Sequence, residues 1–131
     1  MTVVLDASVA LEIALEGNRG TEFKDLLSEC SIVTAPDIFV SEVTNSFWKY
    51  RVFSNITDDQ CFQGIEFCLA LVDDFCFTQS LWHEVIKESI RLKHPVYDMF
   101  YLILARRTGA KLLSCDKQLH KLSEKLDIDT V

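Results

Sequence analysis

The sequence predicts an α/β fold, a three-layer α/β/α sandwich around a mainly parallel sheet of about five strands. Three observations predict it. Short apolar stretches with β-branched residues are bounded by acids or turn residues, as buried parallel strands are. Longer stretches repeat their apolar residues at helical spacing. The two kinds alternate along the chain, and parallel strands need such helical crossovers between them.

Thr2 to Leu5 reads as the first buried strand, with Asp6 at its C-terminal end. A helix is expected from Ser8 to Leu15. Gly17, Asn18 and Gly20 then break the chain before a second helix from Thr21 to Ser28. Ser31 to Ala35 is the second strand. Pro36 and Asp37 start the next helix, with Asp37 as its expected N-cap and Glu42 in its second turn. Thr57 to Gln60 has the pattern of a capping box, followed by Cys61, Ile65, Cys68, Leu69 and Val72 at helical spacing. Phe75 to Thr78 suits a third strand and Leu81 to Leu92 a helix. Pro95 precedes an apolar helix from Tyr97 to Arg107, which Gly109 ends. Leu112 to Cys115 is the fourth strand, Lys117 to Leu126 a helix and Ile128 to Val131 a terminal strand.

The 131 residues fit one domain, residues 1–131, without a linker. Apolar residues at 49% and charged residues at 25% match globular composition and speak against disorder or a coiled coil. Apolar runs such as Met99 to Ala105 fall short of the roughly 18 residues that span a bilayer. With no basic segment before the first apolar stretch, the expected compartment is the cytoplasm and no membrane is involved. Five cysteines at 30, 61, 68, 76 and 115 include no zinc-gripping pair and read as reduced, mostly buried thiols. His83, His94 and His120 lack metal-ligand spacing and read as surface or cap residues. A net charge of −7 argues against a broad basic surface for nucleic acid, but not against binding through metal ions.

Four acids stand out. Asp6 and Asp116 each follow a predicted strand, which puts both at the strand edge where ligands bind in such folds. Capping of the following helix explains either one alone. Glu42 shares a polar stripe with Asn45, Ser46 and Lys49, opposite Phe39, Val43, Phe47 and Tyr50. Asp98 opens a strongly apolar helix, where the helix dipole alone accounts for an acid. Their joint placement at junctions that one crevice could unite favours a common site. Asp37 is read as a cap, and Asp73 and Asp74 lie before a strand, at the other edge.

These pieces, in this order, resemble the PIN-domain nucleases, and within them the VapC-like toxins of type II toxin–antitoxin pairs. The matching pieces are Val3-Val4-Leu5-Asp6-Ala7-Ser8, Pro36 through Asn45, Tyr97 through Leu102, and Leu113 through Asp116 with Leu119. The resemblance implies a PIN-like fold with Asp6, Glu42, Asp98 and Asp116 as catalytic and metal-binding acids. It gives Ser8 and Ser114 as supporting hydroxyls and Asn45 as a supporting polar position. It implies an endoribonuclease that hydrolyses RNA with water activated by one or two magnesium or manganese ions. Four carboxylates with little histidine suit these ions better than zinc. It also implies a homodimer and a cognate antitoxin covering the aromatic residues Phe39, Phe47, Trp48, Phe53 and Phe62.

A haloacid-dehalogenase-type phosphatase would need a second acid two residues after Asp6, where Ser8 stands, and a receiver domain would need paired acids near the first strand. The remaining alternative is a non-catalytic PIN-like module that engages a basic partner through its acidic pocket.

Overall fold

Val3, Val4 and Leu5 have no exposed surface in a computed structural model that describes residues 1–131, as expected of a strand covered on both faces. This strand, β1 (Thr2–Leu5), leads into α1 (Ala7–Ala14), α2 (Gly20–Ser28) and β2 (Ile32–Pro36). Next come α3 (Ile38–Phe53), α4 (Asp58–Ala70) and β3 (Asp74–Cys76). A 3-10 turn (Thr78–Ser80), α5 (Trp82–Leu92), α6 (Val96–Thr108), β4 (Lys111–Leu113) and α7 (Lys117–Lys125) complete the chain.

The sheet order is β3-β2-β1-β4 and every pairing is parallel, with Val4 opposite both Thr34 and Leu112. Alternate residues of β1 feed two cores. Val3 and Leu5 pack with Val9, Phe39 and Val43 on one face, while Val4 packs with Met99, Leu102 and Leu119 on the other. Helices α1 to α4 therefore cover one face and α5 to α7 the other, giving the expected sandwich. From β1 the chain moves outward through β2 to β3, then returns to place β4 on the other side of β1. The junction of β1 and β4 is thus the topological switch point, where α/β folds open a crevice.

The edges of the predicted elements moved for local reasons. The expected terminal strand Ile128–Val131 is reduced to a single bridge between Leu112 and Thr130. Asp127, in the left-handed region at φ 57°, turns the chain just before it, and β4 offers only three residues to pair with. The sheet therefore has four strands. β4 stops at Leu113 because the Cys115 N–H turns away to the Ser8 hydroxyl. β3 ends at Cys76 because Thr78 enters the 3-10 turn. The capping box holds: the Gln60 N–H donates to Thr57 Oγ1 and the Thr57 N–H to Gln60 Oε1.

Asp37, expected to cap α3, does not. Its backbone is already helical at φ −66° and ψ −13°, and its side chain makes no cap bond. Instead Asp37 Oδ1 accepts the Thr78 N–H at 3.0 Å, tying the end of β2 to the end of β3. The aromatic group also divides: Phe39 and Phe47 are core, whereas Trp48, Phe53 and Phe62 are exposed. Of the five cysteines, all unpaired, only Cys68 is fully buried and Cys115 is exposed.

Candidate active site

Parallel strands and antiparallel return helices bring the four acids to one edge. Asp6 directly follows β1 and Asp116 closely follows β4. α3 descends from that edge with Glu42 in its second turn, and α6 begins there with Asp98 in its first. Each acid is held differently. Asp6 is buried, and its Oδ2 accepts from the Ser8 and Ser114 hydroxyls at 2.6 and 2.7 Å. It makes no cap bond to α1, so helix capping does not account for it. Ser8 Oγ also accepts the Cys115 N–H, and Ser114 Oγ the Asp116 N–H, both at 3.0 Å. The two serines thus stitch the ends of β1 and β4 around one carboxylate.

Glu42 Oε1 accepts from the Tyr101 hydroxyl at 2.5 Å, across from α6 to α3. Asp98 Oδ2 lies 2.9 Å from His94 Nε2. Asp116 does cap α7, with Oδ1 accepting the Gln118 N–H at 2.8 Å. Asn45 is exposed one turn beyond Glu42 and is not tied to any of the acids. Tyr101 and His94 are the contributors that sequence reading missed. A single hydroxyl inside the apolar run of α6 was the available signal for Tyr101.

None of the four acids pairs with lysine or arginine; His94 is the only basic neighbour. Burial consequently pushes the Asp6 carboxyl up, its two serine bonds pull it down, and Asp98 and Asp116 push it up again. Glu42 is pushed up to about 7, first by burial and then by Asp6 and Asp98, against the pull of its Tyr101 bond. The acids therefore feel one another, and the site carries uncompensated negative potential.

The donor chemistry fits a hard divalent cation. Each carboxylate is tethered through one oxygen, and the second oxygen of each has no protein donor. With each acid drawn to its own tether, no three of them already stand together as a closed cage around one ion. A depression of about 540 Å³ between α1, α2 and α4 lies at the other end of α1 from Asp6 and has only Glu16 as an acid. The four acids lie away from this depression, at the strand edge.

The PIN domain family model matches residues 3–125, which include all four acids. The chain belongs to the PIN domain family. Ribonuclease VapC3 of Pyrobaculum aerophilum is 28% identical over 127 residues, covering 91% of this chain and 92% of that protein. Among solved structures, PAE2754 of the same organism superposes with a TM-score of 0.71 at 15% identity, covering 91% of this chain and 82% of the other. VapC20 of Mycobacterium tuberculosis, a sarcin–ricin loop cleaving toxin, gives 0.69 at 14% identity, with coverage of 92% and 94%. VapBC2 of Rickettsia felis, bound to a promoter DNA fragment, gives 0.67 at 13%, with 92% of each chain covered. The PIN fold of this chain thus joins a parallel sheet to an acidic switch point.

Proposed function

We propose that this chain is a magnesium- or manganese-dependent endoribonuclease, the toxin of a VapBC-type toxin–antitoxin pair. The observation that carries this reading is the set of four carboxylates at the switch point, each tethered through one oxygen and none paired with lysine or arginine. The names of similar proteins, a ribonuclease and a toxin that cleaves the sarcin–ricin loop, support RNA as the substrate.

Asp6, Glu42, Asp98 and Asp116 would hold one or two divalent ions, which when bound supply an activated water and stabilise the leaving oxygen. The protein's own part is orientation. Ser8 and Ser114 fix Asp6, Tyr101 fixes Glu42, and His94 fixes Asp98, and each tether leaves one carboxylate oxygen without a protein donor. The uncompensated acids repel a phosphate until a cation neutralises them, which makes RNA binding itself conditional on metal. Titrating magnesium and manganese into the purified protein with RNA tests the reading. Cleavage should depend on metal, and Asp6→Asn, Asp98→Asn and Asp116→Asn should each lower it roughly 100-fold or more while remaining folded. Full activity in the folded Asp6 and Asp98 variants would end the proposal.

Trp48, Phe53 and Phe62 are 53%, 77% and 63% exposed, and Trp48 packs edge-on against Phe53 with centroids 6.0 Å apart. Exposed aromatics of this size support a partner. The VapBC complex among the structural neighbours supports a cognate antitoxin as that partner; a homodimer and a cytoplasmic location belong to the same proposal and rest on the family resemblance. No helix is long and apolar enough to cross a membrane. Light scattering of the purified chain should give twice the monomer mass; a monomer at all concentrations removes the homodimer.

A further inference from the structure

A second concavity opens on the same strand edge, one strand over from the acids. It has a volume of about 330 Å³ and is lined by Asp37, Ile38, Ser41, Thr78 and Phe100. That volume is within the roughly 300–1,000 Å³ typical of ligand pockets. The helices that line it also carry two of the acids: Ser41 precedes Glu42 on α3, and Phe100 lies one turn or less from Asp98 on α6. Neighbouring strands are about 4.8 Å apart, so a group held at the ends of β2 and β3 is within one nucleotide's reach of a phosphate held at the end of β1.

Its polar wall is fixed by the fold. The Asp37 N–H donates to the Cys76 carbonyl at 2.9 Å, and Asp37 Oδ1 accepts the Thr78 N–H at 3.0 Å. The first bond holds the Asp37 backbone and the second its carboxylate against the end of β3, and Oδ2 is left without a protein donor. Ser41 is exposed and its hydroxyl is free to bond outward. The other wall is apolar, built from half-buried Ile38 and Phe100. A fixed acceptor, a hydroxyl and an aromatic surface suit a flat heterocycle with an N–H on its edge, whereas the carboxylate repels a phosphate.

We infer that this cleft is a nucleobase subsite that holds an unpaired base next to the scissile phosphate, selecting amino-bearing bases over uracil. The inference rests on the ribonuclease reading for its biological use, but the binding chemistry stands apart from catalysis. Asp37 Oδ2 accepts the amino proton of cytosine, adenine or guanine. Uracil instead turns two carbonyl oxygens toward the carboxylate, one on each side of its single N–H.

Uncharged nucleosides test this without metal or cleavage, because they carry no phosphate for the acids to repel. Titrated into the ¹⁵N-labelled chain, adenosine, cytidine and guanosine should shift the amides of Asp37, Ser41 and Thr78. Uridine should need on the order of tenfold higher concentration. Asp37→Asn keeps an acceptor for Thr78 and should bring uridine to within about threefold of the others. Ser41→Ala, on an exposed position, should weaken all four without changing their order. Shifts elsewhere on the surface, equal affinity for all four, or an unchanged order in Asp37→Asn would overturn the subsite. Failure of the unmodified chain to cleave RNA would overturn the ribonuclease reading and leave the nucleoside titration to decide this one.

Discussion

Two clusters of carboxylates in this protein face opposite electrostatic fates. On the outer surface of α5 and α6, Glu88 accepts from Arg91 at 2.8 Å and from Arg106 at 2.7 Å, and Glu84 from Arg107 at 2.7 Å. The Arg91 and Arg106 bonds pull the Glu88 carboxyl down to about 2. At the strand edge, Glu42 is pushed up to about 7 because burial and two neighbouring aspartates outweigh one tyrosine hydroxyl. The residue type is the same, and the difference is burial without a cation at the strand edge against two paired arginines on α5 and α6. A chain with 13 lysines and arginines places none against the strand-edge acids, which leaves that charge for something outside the chain to neutralise.

The largest effect that would break this contrast is thermodynamic. Folded Glu42 keeps a proton that the unfolded chain, at the ordinary value of 4.5, has released. The folded state therefore binds more protons between about pH 4.5 and 7, and stability falls as pH rises through that window. A displacement of this size corresponds to about 3 kcal/mol. Urea melts in chelator should show this loss in the wild type, with the raised carboxyl of Asp6 acting in the same direction. Glu42→Gln should flatten most of the slope, and magnesium should restore stability at pH 7 by binding the folded state. An equal slope in Glu42→Gln would show that its burial has no such consequence.

A smaller effect separates tethering from simple packing. Tyr101→Phe keeps the buried ring and removes only the hydroxyl that holds Glu42. The variant should fold with a loss of about 1 kcal/mol. The magnesium concentration giving half-maximal RNA cleavage should rise roughly tenfold, as for other partners that orient metal ligands. An unchanged magnesium midpoint would reduce Tyr101 to a core residue.

What could be read from sequence follows the distance over which each residue acts. Asp6 and Asp116 were legible because a strand end fixes the position of the next residues, and Ser8 because it stands two residues after Asp6, whereas Ser114 came only through the family resemblance. The bond from Tyr101 to Glu42 spans 59 residues and joins two helices on opposite faces of the sheet, so no local pattern announces it. His94 was read as a surface or cap residue because the three histidines lack metal-ligand spacing. Its partner Asp98 is four residues on, in the first turn of α6. Asp37 misled for the same reason in reverse. A cap is a local inference, and its actual bond to Thr78 crosses 41 residues to the turn after the neighbouring strand. The missing fifth strand is also non-local, since the sequence of Ile128–Val131 favours extension and the short β4 decides how much of it can pair.

The smallest expected effect completes the contrast from the other side. Glu88→Gln removes a charge held by two arginines on the surface, where side-chain entropy and solvent screening cancel most of the attraction. The loss of stability should be about 1 kcal/mol or less, despite bonds as short as 2.7 Å. Because Glu88 is lowered rather than raised, its contribution is present above pH 4.5 and fades as pH falls toward about 2, the reverse of Glu42. Metal-dependent RNA cleavage should be unchanged, since no acid of the strand edge contacts this network. A variant that lost cleavage at full stability would mean that α5 and α6 transmit the state of their outer face to Asp98, and the two carboxylate clusters would then have to be treated as one.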